Sequence, residues 1–265
     1  MRFCPLASGS SGNCIYVGSE TTHLLIDDGI SGKRTEAALS DLDLSGREIK
    51  GILITHEHSD HVKGLGVFSR KWGVPIYGTE RTLEAISRDT SLGKVDPGLF
   101  RVIRPDLAFN IGDFKIKAMH ISHDAADPVA YRIYYGKQRV AVCTDLGCYN
   151  DYTVECLKEM DGLLIEANHD VRMLQTGSYP YYLKQRILGD RGHLSNENSG
   201  KLLSRILADR TKFIFLGHLS HENNLPELAY EAVRAEITMG DNPYRAEDFR
   251  IMIAKRDEPS PIVTL

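Results

Sequence analysis

Short apolar runs recur along the whole chain, separated by polar stretches bearing Gly and Pro. The segments Asn13 to Gly18, His23 to Asp27, Gly51 to Thr55, Phe114 to His120, Ala130 to Tyr135, Arg139 to Thr144, Gly162 to Glu166, Lys212 to Gly217 and Phe249 to Ala254 read as strands. In one of them Phe114, Ile116 and Ala118 alternate with Lys115 and Lys117. A period of two puts the apolar set on one face, which marks a half-buried strand. Gly136-Lys137-Gln138 between two such runs reads as a hairpin turn. Helical patterns fall between the strands. Ser199 to Asp209 places Leu202, Leu203, Ile206 and Leu207 on one face, and Thr82 to Ser87 is a shorter candidate. Pro226 to Met239 has Pro at its start, Asn224 as a candidate cap and Gly240 beyond its end. Interspersed strands, hairpins and helices fit two packed sheets with helices outside. There is no repeat, low-complexity tract or linker, so residues 1–265 are read as one domain, with a loose tail after Lys255 that carries Pro259 and Pro261.

Composition narrows the class. Hydrophobic residues make up 42% of the 265 and charged residues 26%, which excludes a disordered or fibrous chain. No apolar stretch approaches the roughly 20 residues that span a bilayer, and Met1-Arg2-Phe3-Cys4-Pro5 lacks the pattern of a signal peptide, so a cytoplasmic protein without a membrane partner is expected. Five cysteines, with no CxxC pair, argue against a disulfide framework or a thiolate zinc site; Cys143 and the others are expected to pack as small hydrophobes. The net charge of −4 excludes a protein coated in positive charge but allows a local basic groove.

The candidate chemistry lies in the histidines. Gly51-Ile52-Leu53-Ile54-Thr55 is a buried strand, and His56-Glu57-His58-Ser59-Asp60-His61 follows it directly. Imidazole and carboxylate are the usual ligands of zinc and similar divalent ions. His56 and His58 are two apart and project to one side of extended backbone; Asp60 and His61 follow a turn and can face a second ion. One ion cannot use all four, because adjacent residues bite at awkward angles, so the spacing predicts two.

This HxHxDH motif after an apolar strand resembles the signature of the metallo-β-lactamase superfamily, and later motifs follow in matching order over essentially the whole chain. The resemblance implies an α/β fold (α+β), a four-layer αββα sandwich of two mixed sheets flanked by helices, with metals at one edge. It implies that His56, His58 and His123 hold one ion, that Asp60, His61 and His218 hold the other, and that Asp145 bridges them. His120 stands as an alternative to His123, and His221 to His218. The ions implied are zinc or manganese, with iron also compatible. Such a pair activates water and polarises the scissile group, with a hydroxide between the ions as nucleophile.

Two further segments resemble those of transfer-RNA 3′-processing endonucleases of the same superfamily. They are Leu164-Ile165-Glu166-Ala167-Asn168-His169-Asp170 and Arg191-Gly192-His193-Leu194-Ser195-Asn196. By that likeness Glu166 orients His193, and His193 protonates the leaving group or holds a phosphate oxygen; with Asp60 they make the candidate catalytic set. Several motifs together resemble the YycJ/WalJ group of bacterial exonucleases: Ala7 to Asn13, Ser122 to Pro128, Asn168-His169-Asp170, Gly192 to Asn196 and His218 to Asn224. Membership there implies a phosphodiesterase acting on nucleic acid, with 5′-to-3′ degradation of DNA the expected form. Candidate substrate contacts are Ser10, Ser11 and Asn13 in a Gly/Ser loop whose N–H groups suit phosphate. Others are His169 and His221, and Arg172, Tyr181, Lys184 and Arg186 in a basic, Tyr-bearing segment. The competing readings are hydrolysis of a small thioester or lactone, and a metal-binding regulatory protein with a vestigial site.

Overall fold

The computed structural model describes residues 1–265. Strands β1 (Arg2–Ala7), β2 (Cys14–Gly18), β3 (His23–Ile26), β4 (Ile49–Leu53), β5 (Ile76–Gly78) and β6 (Phe100–Val102) form one sheet. They are joined by a strand from the far end of the chain, β14 (Val263–Thr264), in the order β14-β1-β2-β3-β4-β5-β6. The second sheet has the order β13-β12-β11-β10-β9-β8-β7. Its members are β7 (Ala108–Ile111), β8 (Phe114–His120), β9 (Val129–Tyr135), β10 (Gln138–Cys143), β11 (Gly162–Glu166), β12 (Phe213–Gly217) and β13 (Arg250–Ile253). Each sheet is mixed in the same way: antiparallel at one side, parallel from β3 to β6 and from β10 to β13.

Helices cover both outer faces, as the apolar strand faces require. The first sheet carries α1 (Gly32–Ser40), α2 (Ser59–Val62), α3 (Leu65–Trp72) and α4 (Glu80–Arg88). The second carries α5 (Asp151–Leu157), α8 (Asn196–Ile206) and α9 (Pro226–Met239), while α6 (Val171–Thr176) and α7 (Tyr181–Leu188) lie in the excursion between β11 and α8. Three hydrophobic layers result, one under each helical cover and one between the sheets. In the middle layer Phe3 sits against Phe213 and Phe215 at ring distances of 5.3 and 5.9 Å. This is the expected four-layer αββα sandwich. No helix is long and apolar enough to cross a membrane.

All nine strands expected from the apolar runs form, within two residues of the expected ends. The hairpin turn is Gly136-Lys137, with Tyr135 opposite Gln138 and Gly136 at φ 57°. The tail beyond Lys255 departs from expectation. It is not loose, because Ser260 N–H bonds to Pro5 O and Val263 pairs with Phe3 as part of β14. Asn224 does not cap α9 either. Its side-chain amide is engaged with Asn196 and with the carbonyls of Ala167 and Asn168, and Leu225 takes the cap position without a side-chain bond.

Candidate metal centre

Strands that run in the same sense, the parallel ones and β8, end at one edge of their sheets, and the candidate ligands lie just past those ends. His56 follows β4, His123 follows β8, Asp145 follows β10 and His218 follows β12. Asp27, at the end of β3, Asp145 and His218 all adopt left-handed backbone, with φ of 60°, 58° and 56°. That region is unfavourable for residues with a Cβ and persists where the surroundings over-determine it. Here it turns each side chain back across the sheet edge.

The donors fall into four overlapping groups. His56, His58 and His123 converge in one, and Asp60, His61 and His218 in another; Asp145 joins His56 and His61 in a third, and Glu166, His193 and His218 in a fourth. Four of the five imidazoles are oriented by a partner on Nδ1, the arrangement that suits a metal-ligating histidine, while His58 Nδ1 is 3.3 Å from His123 Nε2 within the cluster. His61 Nδ1 is 2.7 Å from Asp27 Oδ2, His56 Nδ1 is 3.0 Å from Thr55 Oγ1, and His123 Nδ1 is 3.1 Å from Gly192 O. His218 Nδ1 is 2.7 Å from Glu166 Oε1. Arg191 donates Nε and Nη2 to the His123 carbonyl and pins the same loop.

The donor set fits cations. His61 Nε2 is 3.2 Å from Asp145 Oδ2 and 3.4 Å from Asp60 Oδ2; burial opposes a charged ring there, but Asp145, Asp60 and Asp27 outweigh it and hold His61 well above the usual imidazole range. His218 Nε2 is 3.2 Å from Asp60 Oδ2. Positive charge, from a proton or a metal ion, is thus favoured between these nitrogens and carboxylates. His56 Nε2 and Asp145 Oδ2 are buried without a hydrogen-bond partner. Burial disfavours a charged imidazole, yet Asp145, Asp60 and Glu166 raise His218 to about 10. For Asp145, burial acts upward and the charges of His218 and His61 outweigh it, holding the carboxyl well below its usual range. A cluster with that field stabilises cations.

Glu166 has a wider role than expected. Oε1 accepts from His193 Nδ1 at 2.8 Å as well as from His218, while Oε2 accepts the N–H groups of Leu146 and Leu194. Fully buried and fully hydrogen-bonded, it fixes both rings. His193 lies at the mouth, its Nδ1 3.6 Å from Asp145 Oδ1.

The metal-side pocket holds about 220 Å³ and is lined in part by His58, Asp60, Asp145, His193 and His218. Of the candidate substrate residues, Ser10 and Arg186 also line it, Arg186 being paired with Asp124 through Nε at 2.5 Å and Nη2 at 3.1 Å. Ser11 is exposed beside Ser10, and Arg172 and Tyr181 are exposed away from the lining. Asn13 is buried and directs its amide to Asp60 and His61, while Gly9, Gly12 and Asn13 N–H groups are engaged inside the protein. Lys184 donates to the carbonyls of Gln175 and Gly177 and so ties α6 to α7. His169 is buried behind the site, with Nδ1 3.3 Å from Asn168 Oδ1. His221 is exposed beside Glu222, and His120 is exposed near Asp127; neither enters a donor group.

Sequence reasoning missed Asp27, Thr55 and Asn168, whose Nδ2 donates to the His218 carbonyl at 2.9 Å. Asp27 carried a signal, since it ends a predicted strand as Asp145 nearly does. Cys143 packs in the core under the helices.

The family model for the metallo-beta-lactamase superfamily matches residues 7–218. The chain belongs to this superfamily. Within the superfamily it is 40% identical over 264 residues to "Exodeoxyribonuclease WalJ" of Streptococcus pneumoniae serotype 2 (strain D39 / NCTC 7466), covering 100% of this chain and 98% of that protein. It is 40% identical over 233 residues to "Exodeoxyribonuclease YycJ" of Bacillus anthracis, 88% of each chain. The superfamily sandwich is shared with Zn(2+)-bound PqqB from Methylobacterium extorquens, at a TM-score of 0.73, with 16% identity and all of both chains covered.

Proposed function

We propose that the protein is a metal-dependent nuclease that removes nucleotides from a DNA end in the 5′-to-3′ sense, with two divalent ions, zinc, manganese or iron, as cofactors. The observation that carries this reading is the likeness, over the whole chain, to proteins named exodeoxyribonucleases. The donor geometry supports the hydrolytic part of it.

His56, His58 and His123 would hold one ion, Asp60, His61 and His218 the other, and Asp145 both. Ions so held supply Lewis acidity to a phosphodiester and make water a better nucleophile near neutral pH. The remaining work falls to the chain. Asp27 and Glu166 hold His61 and His218 by Nδ1, so that Nε2 of each faces the centre. Glu166 holds His193 likewise, leaving its Nε2 toward the pocket to deliver a proton to the departing oxygen. The negative charge of Glu166 stabilises the protonated ring before that transfer. Arg186 lines the pocket with Nε and Nη2 held by Asp124, which leaves Nη1 to meet a phosphate. Tyr179, Leu183 and Ile187 wall the pocket against bulk water. We read residues 1–265 as one domain, because the inter-sheet core draws on Met1 and Phe3 as well as Ala254 and Val263.

The test uses metal-loaded protein on end-labelled DNA and RNA, with a thioester alongside. Release of nucleotides from the DNA end is the expected result. Intact nucleic acid together with rapid thioester hydrolysis would overturn the reading.

A further inference from the structure

Two loops, Ser8 to Asn13 and Gly217 to Ser220, separate the metal-side pocket from a second cavity of about 570 Å³. Ser220 lines both spaces, while Ser10 faces the first and Ser8 the second. Ser8 Oγ also accepts the His218 N–H at 2.9 Å. The segment that carries a candidate metal ligand is thus the wall of the larger cavity.

The lining of that cavity has two characters. Leu219, Leu225, Pro226 and Ile253 form an apolar side, with Leu225 49% exposed at its lip. The charged side looks balanced by count but not by pairing. Asp257 is engaged with Arg34, and Glu258 with Lys255. Arg256 has no carboxylate partner; Nη2 donates to Leu219 O at 2.7 Å, and Nη1 is buried without a hydrogen-bond partner. It also abuts the other partition loop, since a Cβ on Gly9 would come within 2.8 Å of Arg256 Nη1. An apolar wall suits the face of a ring, and a guanidinium whose charge no carboxylate balances suits a phosphate.

We propose that this cavity is a nucleotide subsite that receives the strand residue next to the scissile phosphodiester, its base against Leu225, Pro226 and Ile253 and its phosphate against Arg256. This rests on the nuclease reading above. Nucleotide chemistry could reach the cavity from the strand being cut or from released mononucleotide. The cavity abuts the metal-side pocket at Ser220, which lines both, and that adjacency favours the strand.

The test compares kcat/KM on short oligodeoxynucleotides of increasing length with that on bis(p-nitrophenyl) phosphate, in the same metal-loaded preparation. Taking the ratio cancels differences in active fraction, so a partly misfolded variant cannot imitate the effect. Arg256→Met removes the charge and keeps the stem, and Leu225→Glu places a repelling carboxylate at an exposed lip. Both should lower the oligonucleotide-to-diester ratio by about tenfold, with the wild-type gain from added length lost. An unchanged ratio in both variants overturns the subsite. If the ratio is unchanged while deoxyadenosine monophosphate inhibits diester hydrolysis in wild type and not in Arg256→Met, the cavity is a product site and the strand assignment falls. If wild type hydrolyses the diester but no DNA, the nuclease reading fails and takes this inference with it.

Discussion

Glu166 and His218, 52 residues apart in the chain, meet through a 2.7 Å contact between Oε1 and Nδ1. The same oxygen is 2.8 Å from His193 Nδ1, so one carboxylate serves a candidate ligand and a candidate acid. Removing it should therefore have two effects. Glu166→Ala is expected to weaken metal binding about 10–100-fold and also to slow the chemical step. His193→Ala should slow turnover by about 10²–10⁴-fold with metal content intact. Calorimetric metal titration separates the two. Wild-type affinity in Glu166→Ala would mean that the contact does not orient His218.

Asp145 stands between the two donor groups. Wild-type protein dialysed against excess zinc or manganese is expected to retain about two equivalents by elemental analysis. Asp145→Ala should lower occupancy at both positions together. Loss of a single equivalent would assign Asp145 to one ion only.

Arg186 and Lys184 are two residues apart on α7 but engaged differently. Arg186 faces the pocket, whereas Lys184 holds two carbonyls of the preceding segment. Arg186→Ala should raise KM for DNA and reduce the salt dependence of binding, since each phosphate contact releases condensed counterions. Lys184→Ala should instead lower Tm, with little change in salt dependence. A salt effect confined to Lys184 would reverse this assignment.

His23 offers a pH prediction away from the metal centre. Burial, then the charge of Arg2, pushes its imidazole below the ordinary value, and Nδ1 is 2.8 Å from the Tyr16 hydroxyl. The unfolded chain therefore binds this proton at higher pH than the folded one. The contribution to stability is present above about pH 6.5 and is lost as pH falls through that value toward the folded pKa. His23→Gln should flatten the decline of Tm on moving from neutral to mildly acidic buffer. An identical decline in both proteins would exclude His23 as its source.

Local pattern carried the strands well. Phe114 to His120 and Gly162 to Glu166 match β8 and β11 end for end, because alternation and continuous apolar runs are direct statements of which faces are buried. Pro226 to Met239 matches α9 for a similar reason, with a starting Pro and a closing Gly. The helix expected from Ser199 instead begins at Asn196, since Ser195 supplies the cap from a position that the apolar stripe does not mark. The candidate motif from His56 to His61 was legible as a cluster because its residues are contiguous. Asp27 and Asn168 act on those ligands only through tertiary contact, and single polar residues of that kind leave no periodic trace. The carbonyl contacts of Lys184 were hidden for the same reason, because a lysine that binds phosphate and one that binds carbonyls look alike in one dimension.

The ligand candidates straddle the sandwich. His56, His58, Asp60 and His61 come from the turn after β4 in one sheet, while His123, Asp145 and His218 come from strand ends of the other. Cations bound there would act as a rivet through the seam between the two halves, beside the backbone bonds from Val129 N–H to Thr55 O and from Ser8 N–H to Lys255 O that already cross it. Parting the sheets would then require releasing the ions, so metal supply would set how firmly the seam is closed. Chelation should loosen the molecule along that seam, and protease sensitivity should appear first where the sheets part rather than across the helical covers.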